Sequence, residues 1–86
     1  MNLSVFYSRA VEIADMAASI NGSDECRSRI EWGYCSETGT LSVQVFSKLT
    51  GNLFFERKIV ADKIGSDYRI AGLLSDLRQL RTEEAA

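Results

Sequence analysis

The chemistry open to this 86-residue sequence is narrow, because it contains no histidine. Histidine is the most frequent general acid–base and the commonest metal ligand. Its absence excludes Ser-His-Asp and Cys-His nucleophiles and Cys/His zinc fingers, and two cysteines cannot supply a four-cysteine zinc site. The six scattered glycines form no phosphate-binding loop. Twelve Asp and Glu residues remain, with no spacing that favours a catalytic pair. We therefore predict a protein that is not an enzyme and uses no metal or cofactor.

The two cysteines, Cys26 and Cys35, bear on the cellular compartment of the protein more than on any catalytic role. A secreted domain of this size usually carries four or more cysteines in a disulfide framework. A signal peptide begins with a positive charge ahead of an apolar stretch, and the first residues of this sequence do not show that pattern. We therefore expect a cytoplasmic protein with two free thiols. On a single strand the two cysteines would lie about 30 Å apart, at roughly 3.3 Å per residue, so a bridge between them would need a bend.

The composition is that of a soluble globular domain. The formal charge is −2, 45% of the residues are apolar and 26% are charged. These values exclude a disordered chain and a general nucleic-acid coat. No apolar run reaches the 18 residues that a membrane span requires, so we expect no membrane partner. The length fits one domain, residues 1–86.

Apolar spacing predicts five elements in the order α-β-β-β-α. A three-to-four-residue period predicts helices over residues 3–21 and 66–82, whereas a period of two predicts strands over 25–35, 40–49 and 53–61. The first helix carries its apolar stripe at Leu3, Phe6, Ala10, Ile13, Ala17 and Ile20, and the second at Ile70, Leu73, Leu74, Leu77 and Leu80. The resulting fold is a two-layer α+β domain, in which both helices pack on one face of a three-stranded antiparallel meander.

Strand register follows from matching apolar residues across each turn, because a slip of one residue exchanges the faces. In the first hairpin, Trp32 opposite Val43 also sets Ile30 and Tyr34 against apolar partners, so Trp32 is predicted to lie in the core. In the second hairpin, a three-residue loop pairs Leu49 with Leu53, Val43 with Ile59 and Leu41 with Ala61 on the inner face. That register places Arg57 opposite Val45.

The opposite sheet face is then aromatic and locally basic, and we predict that it binds a partner. Phe46 and Phe54 become diagonal neighbours within reach of Arg29. The predicted contact residues are Arg27, Arg29, Phe46, Lys48, Phe54, Glu56 and Lys58.

Three interpretations of this face compete. Exposed aromatic residues can be ordinary strand formers, or the terminal tail can fold over them. Alternatively, an aromatic and arginine centre with a mixed-charge rim is typical of a protein interface, either a homodimer contact or a site for a larger partner. In the third, bases of single-stranded nucleic acid stack on the phenylalanines while Arg27, Arg29, Lys48 and Lys58 meet phosphates. The charge of −2 and the lack of an RNP-like segment favour the protein interface.

We therefore predict a small, non-enzymatic protein-binding module that occludes or bridges a surface of its partner. In size and in its lack of catalytic equipment the chain is similar to small phage-encoded inhibitors of bacterial defence complexes, such as anti-CRISPR proteins. That similarity is one of size and class alone.

Overall fold

The computed structural model describes residues 3–61 and 63–85 and has the predicted α-β-β-β-α order. Helix α1 spans Leu3–Asn21, strand β1 Ser28–Cys35, strand β2 Thr40–Ser47, strand β3 Leu53–Val60 and helix α2 Ser66–Ala85. The strands form one antiparallel sheet in the order β1-β2-β3. The α+β fold class predicted from apolar spacing is thus confirmed.

The core lies between the sheet and the two helices. Helix α1 packs on β1, helix α2 packs on β3, and the helices contact each other. The central strand β2 alternates buried and half-buried residues along its whole length, and Leu41, Val43 and Val45 are inaccessible to solvent. Both predicted helical stripes contribute to this core, with Phe6, Ile13, Ala17, Ile20, Ile70, Leu73, Leu74 and Leu77 all buried.

The strands differ from the predicted ranges mainly at their ends. Strand β1 begins at Ser28 rather than at 25, and β2 ends at Ser47 rather than at 49. The Ser47 hydroxyl explains the early end of β2, because it accepts hydrogen bonds from the backbone N–H groups of Leu49 (3.1 Å) and Thr50 (3.2 Å). A side chain that caps these two donors turns the chain away from the ladder.

The first hairpin has the predicted register, and the second does not. Trp32 faces Val43 and Ile30 faces Val45, as predicted. In the second hairpin Val43 faces Arg57 and not Ile59, so the predicted pairing is wrong by two residues. Ser47 N–H donates to the Asn52 carbonyl (2.9 Å), which leaves a four-residue turn, 48–51, in place of three. An even shift keeps the residues of β3 from Phe55 onward on their predicted side, so Ile59 still points into the core.

Two core predictions are also wrong. Trp32 shares a side of β1 with buried Ile30 but is 46% exposed, because β1 is an edge strand and leaves part of the large indole to solvent. Leu49 and Leu53, the predicted inner pair, are 77% and 51% exposed. The cause is the four-residue turn together with a β-bulge that follows it.

Candidate functional site

The centre of the predicted contact face is an arginine stacked on a phenylalanine. Arg29 and Phe46 are cross-strand partners in the β1–β2 ladder. The guanidinium carbon of Arg29 lies 4.5 Å from the centroid of the Phe46 ring, within cation–π range. The same guanidinium pairs with the Glu31 carboxylate, two residues along β1. Arg29 is therefore held between a ring and a carboxylate, and Phe46 is left half-buried.

A β-bulge places two apolar side chains beside Phe46. Val45 faces Phe55 whereas Phe46 faces Leu53, so Leu53 and Phe54 together oppose one residue of β2. Phe54 is 55% exposed and Leu53 about the same. With the exposed Leu49 of the adjoining turn they form an apolar group at this end of the sheet, which we call the bulge tip (Leu49, Leu53 and Phe54).

The opposite end of the face is polar. Glu56 was expected beside Phe46, but the shifted register sets it opposite Gln44, whose side-chain amide donates to the Glu56 carboxylate at 2.6 Å. Lys58 was expected opposite Gln44, but it faces Ser42 and is exposed. The structure therefore moves both Glu56 and Lys58 away from Phe46, by one pair of residues on that face.

Lys48 binds the C-terminal end of α1 and does not take the predicted position with the aromatic residues. Its ammonium donates to the backbone carbonyls of Ser23 (2.8 Å), Ile20 (3.2 Å) and Asn21 (3.5 Å), at and beyond the end of the helix. A cation there satisfies carbonyls that lack a helical partner and complements the helix dipole. Arg27 is exposed, and its carbonyl accepts the Lys48 backbone N–H at 2.8 Å.

The bulge tip includes two residues, Leu49 and Leu53, that sequence reasoning did not assign to the site. Alternation placed both on the inner face, and the turn and the inserted residue in β3 change that placement. No pattern in the sequence marks the bulge, because both neighbouring positions, Phe54 and Phe55, are equally good strand formers.

Both cysteines are free thiols, as predicted, and they differ in access. Cys26 is buried and Cys35 is exposed at the end of β1. Hydrogen bonds from the Thr38 side chain, and then from the backbone at Thr38 and Glu37, lower the pKa of the Cys35 thiol. These donors stabilise the thiolate, so Cys35 is the more reactive of the two. Within the described residues no cluster of three or more acidic or cysteine side chains could hold a metal ion.

Comparisons with protein-family models, with curated proteins and with solved structures found no match to this chain. Across the part of the chain that the structure describes, neither helix has an apolar stretch of the length needed to cross a bilayer.

Proposed function

We propose that this chain is a non-enzymatic module that binds another protein through Phe46, the bulge tip and the polar residues around them. The observation that carries the proposal is the bulge tip itself. Three large apolar side chains from one turn and one strand are each at least half exposed. An exposed apolar group of this kind, rimmed by charges, is typical of an interaction site.

The surroundings of the bulge tip fit the pattern of a binding hot spot. Arg29 lies over Phe46, and Glu31, two residues along β1, is already engaged by the Arg29 guanidinium. A partner would therefore meet a rim whose charged groups are fixed in place, so little side-chain entropy is lost on association. Aromatic and arginine side chains at the centre with a polar rim are the composition of protein interfaces.

The contacts of the basic residues argue against the nucleic-acid alternative. Phosphate binding needs cations that are available to a backbone. Arg29 is already paired with Glu31, and Lys48 is directed at the end of α1. At least two of the four cations expected to meet phosphates are thus committed to contacts within the chain. Binding of a mixed single-stranded oligonucleotide at about 50 mM salt, where such contacts are strongest, would favour this alternative.

The partner would be a protein with a small apolar pocket, and this module would act by occluding or bridging that surface. We expect it to work in the cytoplasm, where Cys26 and Cys35 would stay reduced. Inhibition of a larger complex, as by small phage-encoded inhibitors, is one activity that this mode of binding would produce.

The experiment begins with a partner captured from the source cell and then purified, so that binding is measured with two defined components. We expect Phe54→Asp, alone or with Phe46→Ala, to weaken binding at least about tenfold, as loss of a central hot-spot residue does. Val11→Asp is the matched control, since Val11 is an exposed apolar residue on α1. Unchanged binding by the folded Phe46 and Phe54 variants, or an equal loss in the control, would contradict the proposal.

A further inference from the structure

A cleft of about 390 Å³ lies between β3 and α2. Its lining consists of residues 57–59 of β3 and, from α2, Arg69, Gly72, Leu73 and Asp76. It includes neither Phe46 nor any residue of the bulge tip. Cavities of this size bind small organic molecules. We call it the β3–α2 cleft.

The lining of the β3–α2 cleft is basic, although the whole chain is acidic. Three cations, Arg57, Lys58 and Arg69, accompany one acid, Asp76, so the lining has a net charge of +2 whereas the chain has −2. Among the described residues, Lys58, Arg69 and Asp76 take part in no ion pair. The described part of the chain therefore leaves the charge of this cleft without a counter-ion, and an anion is the ligand that it attracts.

Arg57 is held in a fixed orientation by contacts that leave most of its donors available. Its guanidinium carbon lies 4.9 Å from the centroid of the Phe55 ring, and its Nη1 donates to the Glu56 carbonyl at 3.0 Å. A guanidinium has five N–H groups in a planar fork that matches the oxygens of a phosphate or carboxylate. The bond to Glu56 uses one of them. A ligand anion would thus meet an arginine that loses little side-chain entropy on binding.

The strand side of the cleft adds a backbone donor and an apolar wall. The N–H of Ala61 donates to the Gly39 carbonyl at 2.8 Å, so odd-numbered residues of β3 turn their backbone groups towards β2. Lys58 therefore turns its N–H to the outer edge of β3. Beside it, Ile59 is 2% exposed and packs in the core, as does Leu73 of α2. The cleft thus combines polar donors with an apolar surface, as ligand sites do.

Gly72 keeps the helix side of the cleft open. It lies between Arg69 and Asp76 on one stripe of α2, because residues three and four apart are neighbours on a helix surface. Glycine inside a helix is destabilising relative to alanine. A Cβ at Gly72 would meet no atom within 4 Å, so packing does not require glycine at this position. What the missing side chain provides is space in the cleft.

We propose that the β3–α2 cleft binds a small phosphate monoester with an apolar body. Arg57 and Arg69 would bind the phosphate oxygens, and the N–H of Lys58 would add a donor. A phosphate monoester carries about −1.5 to −2 charges at pH 7, which matches the net charge of the lining better than a single carboxylate does. The apolar body would lie against Ile59 and Leu73.

Asp76 limits what the rest of the ligand can be. It lies seven residues from Arg69 on α2, about 10 Å along the helix at roughly 1.5 Å per residue. A carboxylate accepts hydrogen bonds from a hydroxyl and repels a second anionic group. The ligand is therefore expected to carry one phosphate and a neutral or hydroxyl-bearing end.

Titration with phenyl phosphate, followed by two-dimensional NMR of the isotope-labelled chain, tests the site. We expect saturable shifts of the backbone amides of Ile59, Gly72 and Leu73. Inorganic phosphate and phenol each lack half of the contacts, so both should bind at least about tenfold more weakly. Shifts confined to residues outside the cleft would overturn the site. Equal binding of phenylacetate or of inorganic phosphate would overturn the ligand class.

Two variants and two matched controls test the residues. Arg69→Gln removes a phosphate donor, and Gly72→Leu fills the cleft with a residue that favours a helix, so both should weaken phenyl phosphate binding at least about tenfold. Lys63→Gln changes the net charge by the same amount, and Ser75→Leu adds the same side chain to α2; both residues are exposed and outside the lining. Unchanged binding by the first pair, or an equal loss in the controls, would overturn the proposal.

This inference goes beyond the partner-binding proposal and can fail separately from it. Phe54→Asp, which tests partner binding, leaves every lining residue of the β3–α2 cleft in place. We expect that variant to bind phenyl phosphate as the unaltered chain does. Loss of phenyl phosphate binding in the folded Phe54→Asp variant would overturn the assignment of the ligand to this cleft.

Discussion

The side chain of Asn21 joins the end of α1 to the edge of β1, and Asn21→Ala should destabilise the domain. Two hydrogen bonds to Ile30 are lost, at 2.7 and 2.8 Å. A hydrogen bond contributes about 0.5–1.5 kcal/mol net, and a buried group left unpaired costs about 1–3 kcal/mol. Because water can reach part of this edge, we expect the free energy of unfolding to fall by about 2–3 kcal/mol. For a domain of this size that lowers the Tm by roughly 10–20 °C.

Urea unfolding followed by circular dichroism measures this loss. Asn21→Asp should fall between the alanine variant and the unaltered chain, because it keeps an acceptor for the Ile30 N–H but loses the donor to the Ile30 carbonyl. Asn52→Ala is the matched control, since Asn52 is exposed and hydrogen-bonds through its backbone. We expect that control to stay within about 0.5 kcal/mol of the unaltered chain. If Asn21→Ala were as stable as Asn52→Ala, the assignment of Asn21 as a structural link would be refuted.

Further predictions concern single residues. Gly72→Ala should raise the free energy of unfolding by about 0.5–1 kcal/mol, because Gly72 lies inside α2 with open space around it. Gly51→Ala should lower that free energy by about 1–2 kcal/mol, since Gly51 has φ +77°. In thermal melts, a Gly72→Ala variant no more stable than the unaltered chain would contradict the first of these predictions, and a Gly51→Ala variant no less stable would contradict the second. Lys48→Met should lower the free energy of unfolding by about 0.5–1.5 kcal/mol, with a smaller difference in 1 M salt, where the screening length is about 3 Å. Thr38→Val should raise the pKa of Cys35, so the midpoint of the pH profile for its alkylation moves to higher pH; an unmoved midpoint would contradict the hydrogen-bond assignment.

The two hairpins show how far apolar alternation predicts this sheet. Between β1 and β2, the pairs Ile30–Val45 and Tyr34–Leu41 are consistent with one register alone, and the turn supplies Gly39 with φ +67°. In the second hairpin apolar residues occupy successive positions of β3, Leu53 through Phe55, so several registers bury a similar area. The hydrogen bonds accepted by the Ser47 hydroxyl and the four-residue turn then decide between these registers. Neither feature produces a periodic pattern of apolar residues in the sequence.

One part of the candidate site could likewise be predicted from the sequence, and another part could not. The contact of Arg29 with Phe46 follows from a register that the sequence predicts. The position of Lys48 does not, because its contacts are with the end of α1, 25 or more residues away in the chain. Polar contacts over such separations leave no periodic signal, whereas helices and strands do.

Photo-crosslinking is the measurement that tests the binding account most directly. A photoreactive phenylalanine analogue at position 54 reports what touches the bulge tip, and the same analogue at position 11 on α1 reports the opposite layer of the domain. With the purified partner protein, we predict a covalent adduct from position 54 and none from position 11. An adduct from position 11 alone would contradict the claim that this protein binds through Phe46 and the bulge tip.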